Sequence, residues 1–503
     1  MTTIRRRLAC LALLLAGACG SAQVEPEVRL PAFVDHHVHV FNVGWWILQH
    51  EHKPAAYVSA GGSRSEGEVV SRAAAAAAAA APSGWVTGFG WSQDAWGTPV
   101  LPTADALSNA VPQVPVALAR TDGHALWVNR EALKRAGLPE TTHGVLLERA
   151  SEPVLSLIPA PPDSDIVAAW RLGAEALAER GVLRAYDAGV LALPGIAALN
   201  TDFARYVRLL AESDRARPLP ISIYLMIPAP SPYAEAVLAM SAAERQRSPN
   251  VRITHLKLFA DGALGSRGAA LSEPYADDPH TEGVLRMTSG EIADWTRRAL
   301  DAGFDVATHA IGDRAVHEVL DAYETVLRER PSVVPTRLRI EHFSFASDAD
   351  FARAVRLGVA LSVQSNFNTP RGVSPTFAEQ RVGVERGARV YDWDRLSRMG
   401  AVLVEGSDYF GEPGAPLLGL YSGVVGVHAL GARGDSPEVR RELLRLNSAW
   451  LAPGGVLEAP GALDDSATPF VVLSADPVKV PADSLLTIRV RRTTSRLPSS
   501  GKR

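Results

Sequence analysis

The chain has 503 residues, 47% hydrophobic and 21% charged, which excludes a mostly disordered chain, a collagen and a coiled coil. Lys+Arg number 51 against 55 Asp+Glu, a net charge of −4, so no global basic excess exists to hold nucleic acid. Two Cys exclude a disulfide scaffold and a Cys-rich zinc module.

The first segment reads as an address. Arg5, Arg6 and Arg7 precede the apolar run Leu8 to Leu15, which is too short for a mature membrane span and fits a signal peptide. Leu15-Ala16-Gly17-Ala18-Cys19 resembles a bacterial lipobox, with Ala16 where such boxes usually carry Leu. By that resemblance Cys19 is lipidated and becomes the mature N-terminus. The chain is then an exported, membrane-anchored lipoprotein of the bacterial cell envelope. Plain secretion, periplasmic or beyond, after cleavage near Ala18 is the alternative. Removing residues 1–18 takes three Arg and Cys10, leaving a charge of −7 and Cys19 as the only thiol. The membrane is then reached only through a lipid anchor.

Short β-rich runs then alternate with helical patterns. The spacing predicts strands at Phe33–Val40, Val182–Asp187, Ile221–Met226, Ile253–Phe259, Phe304–His309, Leu338–His342, Ala360–Gln364 and Ala401–Asp408. Helices are predicted at Ser164–Glu179, Ser289–Ala302, Ala315–Arg328 and Ala346–Leu357. Eight strands with helical crossovers point to an α/β fold of the TIM-type (β/α)8 barrel class, over residues 28–455. Val116–Ala119 adds a ninth run and falls in residues 41–165, which read as a long insertion after strand one. The tract Ala73–Ala81 predicts a packed helix ending at Pro82, because Ala has the best helix propensity. Residues 456–492 read as a small β segment with strands at Phe470–Leu473 and Leu485–Val490, and 493–503 as a frayed tail.

The chemistry-bearing residues sit where these strands end, the end at which barrel enzymes build their sites. Asp35-His36-His37-Val38-His39 closes strand one. Alternation along a strand sends His37 and His39 into the barrel mouth and His36 the other way. Two imidazoles on one face suit a borderline metal such as zinc, and a lone pair of this kind is equally compatible with structural histidines. Lys257 ends strand four and faces the lumen, where an ammonium needs either an ion pair or conversion by CO2 to an anionic carbamate. His309 and His342 end strands five and six, and Asp408 follows strand eight as either a helix N-cap or a carboxylate that binds metal and moves a proton. Each signal alone is ordinary. Their order, converging on one mouth, favours a shared metal site.

The layout resembles the amidohydrolase superfamily, and within it the amidohydrolase-3 group with its N-substituted formamide deformylase-like proteins. The resemblance spans roughly residues 30–450. It rests on Leu30 to His39, Gly88-Phe89-Gly90-Trp91, Asp122-Gly123-His124 with Asn129, Lys257 to Arg267, His309 to Arg314, Glu341-His342 and Gly406-Ser407-Asp408. It implies metal ligation by His37, His39, His309, His342 and Asp408, with Lys257 as a carboxylated, bridging ligand. Two divalent ions, zinc by expectation, would activate a hydroxide against a C–N bond of an amide or N-substituted formamide in a small-molecule substrate. Asp408 would be the catalytic proton carrier. Trp91, His124, Arg267 and Arg314 are the candidates for substrate contact, and Trp45, Trp46 and Trp96 candidates for an apolar lining. The same metals also suit an esterase, lactonase or phosphotriesterase. A catalytically silent, lipid-tethered binding protein is the alternative from another class. One departure from the family is the short run from Gly20 to Leu30 before strand one, which implies a reduced β-sandwich or terminal strands packed on the barrel.

Overall fold

Runs of Val, Ile, Leu and Ala that end on polar side chains build the centre of the molecule as a parallel sheet. In the computed structural model, which describes residues 27–53, 57–79, 84–97, 100–368, 377–409, 416–425, 435–459 and 468–494, these runs are eight barrel strands. They are β1 (Phe33–Val38), β2 (Val182–Asp187), β3 (Ser222–Pro228), β4 (Val251–Phe259), β5 (Asp305–Ala310), β6 (Leu338–His342), β7 (Ala360–Val363) and β8 (Val402–Glu405). Each pairs in parallel with the next along the chain. The seam between β8 and β1 is bridged beyond the strand ends. There the Asp408 N–H donates to the His37 carbonyl at 2.6 Å and the His39 N–H to the Tyr409 carbonyl at 3.0 Å. This is the TIM-type α/β barrel.

Helices cover the outside. α1 (Val40–Ile47) follows β1, and α2 (Asp163–Glu179) precedes β2. α3 (Phe203–Ala216), α4 (Ser289–Asp301), α5 (Asp313–Glu329) and α6 (Asp348–Leu357) follow in sequence. Their apolar residues recur at helical spacing, as in α5, where Val316, Val319, Leu320, Tyr323 and Val326 are buried. α4 begins with a capping box between Thr288 and Glu291.

Between α1 and α2 stands a separate five-stranded sheet. Its strands lie in chain order at Tyr57–Ser59, Val86–Trp91, Val116–Arg120, Ala125–Val128 and Val145–Leu147. The alanine tract enters the helix Glu66–Ala79, which buries Val69, Ala73 and Ala76. A hairpin of Trp450–Ala452 and Val456–Glu458 closes the floor of the barrel. Leu451 packs on Ala360 and Val404, and the Gly454 N–H donates to Asp305 Oδ2 at 2.6 Å.

Both ends of the described chain meet in a three-stranded antiparallel sheet of Val28–Pro31, Phe470–Leu473 and Val490–Thr493. One expected strand is corrected here. Leu485–Val490 is not a strand: Ala482–Thr487 winds as a 3-10 helix after Pro481, and the strand starts at Val490. Pro481 fixes φ and lacks an N–H, which favours a helical start, and Leu485 is fully buried as the anchor of that turn. Cys19, the rest of the address segment and residues 495–503 lie outside the described residues. No described helix is long and apolar enough to cross a membrane.

Candidate active site

β1 sets the first imidazoles. Between Asp35 and Val38 the strand advances three residues while β2 advances two, from Ala185 to Asp187. That extra residue is a bulge, and it breaks strict alternation. His36 therefore does not face away as alternation predicts. Its ring stacks on Tyr186 at 5.4 Å and its Nε2 accepts the Leu451 N–H at 3.2 Å, above the hairpin that closes the floor. His37 and His39 stand at the mouth, with ring centroids 5.6 Å apart.

Asp408 Oδ1 lies 3.4 Å from His37 Nε2 and 3.3 Å from His39 Nε2, a group able to hold one metal ion. The His342 ring is 4.8 Å from that of His37, and the His309 ring 4.6 Å from that of His342. Lys257 is 1% exposed, and its Nζ has no hydrogen-bond partner among the described residues. The structure thus gathers His37, His39, His309, His342, Asp408 and Lys257 in one cluster. His342 (φ 76°) and Asp408 (φ 51°) adopt left-handed backbone, a cost that clusters at functional sites.

Electrostatics fit a cation site. Burial holds His37 down to about 4 and His309 and His342 well below the ordinary imidazole range, so all three are neutral, the ligating form. Burial pushes Asp408 up, but His37, His39 and His342 outweigh it and keep the carboxylate ionised. Burial brings the Lys257 ammonium down to about 8. A buried ammonium without a hydrogen bond is costly, and the charges of Glu341 and Asp408 offset that cost only in part. The residues present therefore fit a divalent metal.

Three of the four imidazoles are aimed through Nδ1 by a neighbour, the arrangement that fixes tautomers in metal sites. His37 Nδ1 lies 2.5 Å from Glu341 Oε2, His39 Nδ1 2.7 Å from the Gly189 carbonyl and His342 Nδ1 2.9 Å from Gln364 Oε1. Asp187 braces the His39 region by accepting the Val40 N–H at 2.8 Å and the Gly189 N–H at 3.2 Å. Sequence reasoning assigned no role to these supports. Glu341 was legible only as the neighbour of His342, because hydrogen bonding across some 300 positions leaves no local pattern.

The substrate-side candidates separate. His124 reaches the cluster from the inserted sheet, its ring 5.9 Å from that of His309. Its Nδ1 sits 3.0 and 3.2 Å from the two oxygens of Glu148, which also receives Arg286 at 3.3 Å. A Cβ at Gly262 would meet Glu148 Oε1 at 2.1 Å, so only glycine lets the loop after β4 cradle that carboxylate. The other three candidates do not join the cluster. Trp91 is fully buried in the inserted sheet's own core and donates Nε1–H to the Leu118 carbonyl. Arg267 is held by Asp277 at 2.9 Å, and Arg314 is exposed in the first turn of α5. Trp45 is buried against Phe41, Trp46 stacks on His50, and Trp96 packs among Trp91 and Trp127. Asn129 is structural, accepting from Val116 and Ala132 N–H and donating to the Val111 and Val114 carbonyls.

The chain as a whole resembles known proteins. The protein named amidohydrolase YtcJ of Bacillus subtilis (strain 168) is 29% identical over 411 residues, covering 79% of this chain and 73% of its own. N-substituted formamide deformylase of Arthrobacter pascens is 26% identical over 294 residues, 56% of this chain and 53% of its own. A crystal structure of an uncharacterized metal-dependent hydrolase from Pyrococcus horikoshii OT3 superposes with a TM-score of 0.63 at 27% identity, covering 91% of this chain and 88% of that one. The model of the Amidohydrolase family, Amidohydro_3, matches residues 28–496, and the chain belongs to that family of hydrolases.

Proposed function

We propose that the protein hydrolyses a C–N bond in an amide or N-substituted formamide, with two divalent cations, zinc by preference. The observation that carries this reading is the buried cluster itself: neutral imidazoles around an ionised carboxylate, with a lysine whose Nζ makes no hydrogen bond among the described residues. His37, His39, His309, His342, Asp408 and Lys257, the last as a carbamate, would hold the metal. When bound, such ions polarise a carbonyl and lower the pKa of water. Asp408 then acts as proton carrier: as a carboxylate it accepts a proton from the attacking water and delivers it to the departing nitrogen. The products are an acid and an amine. Glu341, Gln364 and the Gly189 carbonyl keep the three imidazoles aimed while charge shifts.

The test is metal content of the purified protein followed by a hydrolysis panel of amides, formamides and esters. The expected result is two metals and turnover of an amide or formamide. Asp408→Asn should retain metal and lose roughly 100-fold or more of kcat, the range for a positioned acid–base group. Ester-only turnover, or near-normal kcat in that variant, defeats the reading. For location, we propose export and acylation at Cys19, supported by Arg5 to Arg7 and the apolar run after them. Labelled palmitate should enter the protein and be lost in Cys19→Ser.

A further inference from the structure

One face of the inserted sheet, with Ala117, Ala119, Leu126 and Val128, packs into the apolar core shared with the barrel, and beside that contact runs a line of alternating charges. Arg120 donates Nη1–H to Asp122 Oδ2 and Nη2–H to Asp94 Oδ2, each at 2.5 Å. Arg381, on the helix Phe377–Val382 beyond β7, donates Nη2–H to Asp94 Oδ1 at 2.9 Å and Nη1–H to Asp277 Oδ2 at 2.6 Å. Arg267 closes the line on Asp277 at 2.9 Å. Three cations thus alternate with three anions, drawn from the insertion, the loop after β4 and the segment after β7. Arg120 and Arg381 are 2% and 0% exposed, so salt screens the centre of the line poorly.

The backbone of the β4 loop is threaded into this contact. The Gly265 carbonyl accepts from Arg381 Nη2 at 3.1 Å. A Cβ at Gly265 would stand 2.8 Å from Arg120 Nη1 and 3.1 Å from Asp122 Oδ2, so a side chain there would displace the Arg120–Asp122 pair. The far end of the line reaches the active-site cluster. Asp122 Oδ1 accepts the His124 N–H at 3.1 Å, and the His124 ring lies 5.9 Å from that of His309.

We propose that the line from Asp122 to Arg267 sets the angle at which the inserted sheet, held by apolar packing, docks on the barrel, and so fixes where His124 stands over the cluster, with Arg381 as its central positioning residue. Directional bonds fix both distance and angle, which the non-directional apolar contact beside them does not. The planar guanidinium serves Asp94, Asp277 and the Gly265 carbonyl at once. An ammonium has no such fork. Docking is a claim of its own; only its effect on turnover rests on the hydrolase reading.

The experiment compares the full, metal-loaded wild type with Arg381→Ala and Arg381→Lys. Hydrogen exchange is read on amides of residues 116–128 and 262–270, with β1 and β2 as internal reference. Arg381→Ala should speed exchange in those two segments by roughly tenfold or more while β1 and β2 stay at the wild-type rate. Arg381→Lys should recover only part of the protection, and millimolar guanidinium should restore it in Arg381→Ala. On whichever amide the wild type turns over, kcat/KM should fall and recover in parallel, at unchanged metal content. Wild-type exchange at 116–128 in folded Arg381→Ala, or faster exchange everywhere alike, overturns the proposal. Should Arg381→Ala fail to fold, the near-isosteric Asp94→Asn, with the same exchange readout, decides in its place. If the wild type hydrolyses nothing, the hydrolase reading fails and exchange alone still decides the docking.

Discussion

Glu341 is the most heavily committed support in the site, and its removal has a computable consequence. Both its oxygens are engaged, Oε2 with His37 Nδ1 and Oε1 with Arg339 Nε, each at 2.5 Å. Glu341 and Arg339 are both 0% exposed. Glu341→Gln keeps the shape, retains one acceptor and turns an N–H toward one of the two donors. Arg339 cannot discharge by losing a proton. Breaking a buried ion pair from one side costs about 3–5 kcal/mol, far more than the pair itself contributes. For His37, loss of the group that orients a metal-binding imidazole weakens affinity by roughly 10–100-fold. Urea unfolding of the metal-free protein measures the first effect, and zinc titration against a chelator the second. A double variant, Arg339→Met with Glu341→Leu, should be less destabilised than Glu341→Gln, because it leaves no buried charge unpaired. A stability change under about 1 kcal/mol together with unaltered zinc affinity would refute the reasoning.

Three other outcomes follow from single observations. Lys257→Met should stabilise the metal-free protein and abolish turnover, since it removes a buried ammonium that makes no hydrogen bond; a destabilised Lys257→Met would show that the attraction of Glu341 and Asp408 outweighs its desolvation. Glu405 is raised to about 8 by burial, so the folded state holds its proton where the unfolded chain has lost it. That contribution is complete below the ordinary carboxylate value and is lost as pH rises toward about 8. Stability of wild type relative to Glu405→Gln should therefore decline across that window, by up to about 1.4 kcal/mol per pH unit, and parallel curves would contradict the assignment. Asn129→Ala should cost about 3 kcal/mol or more by orphaning several buried backbone groups, with kcat unchanged; a kcat loss at intact stability would give Asn129 a role beyond structure.

The barrel was legible because its signal is local. Leu338–His342 and Val182–Asp187 coincide residue for residue with β6 and β2, since apolar runs bounded by polar residues mark a buried parallel strand wherever they occur. The same locality put His37, Lys257, His309, His342 and Asp408 at strand ends, and so at one mouth. Leu485–Val490 misled because a short apolar run has no period long enough to tell a strand from a helical turn.

Tertiary structure decided what depends on distant partners. One extra residue in β1, counted against β2, turned His36 inward, and no pattern within the strand reports its neighbour's register. Glu341 became the brace of His37 across 304 positions, and Asp94 the partner of Arg381 across 287. Composition and spacing fix which side chains a strand end offers; only the closed sheet and the docked insertion fix which charges are buried together, because the desolvation that makes each pairing obligatory arises on folding.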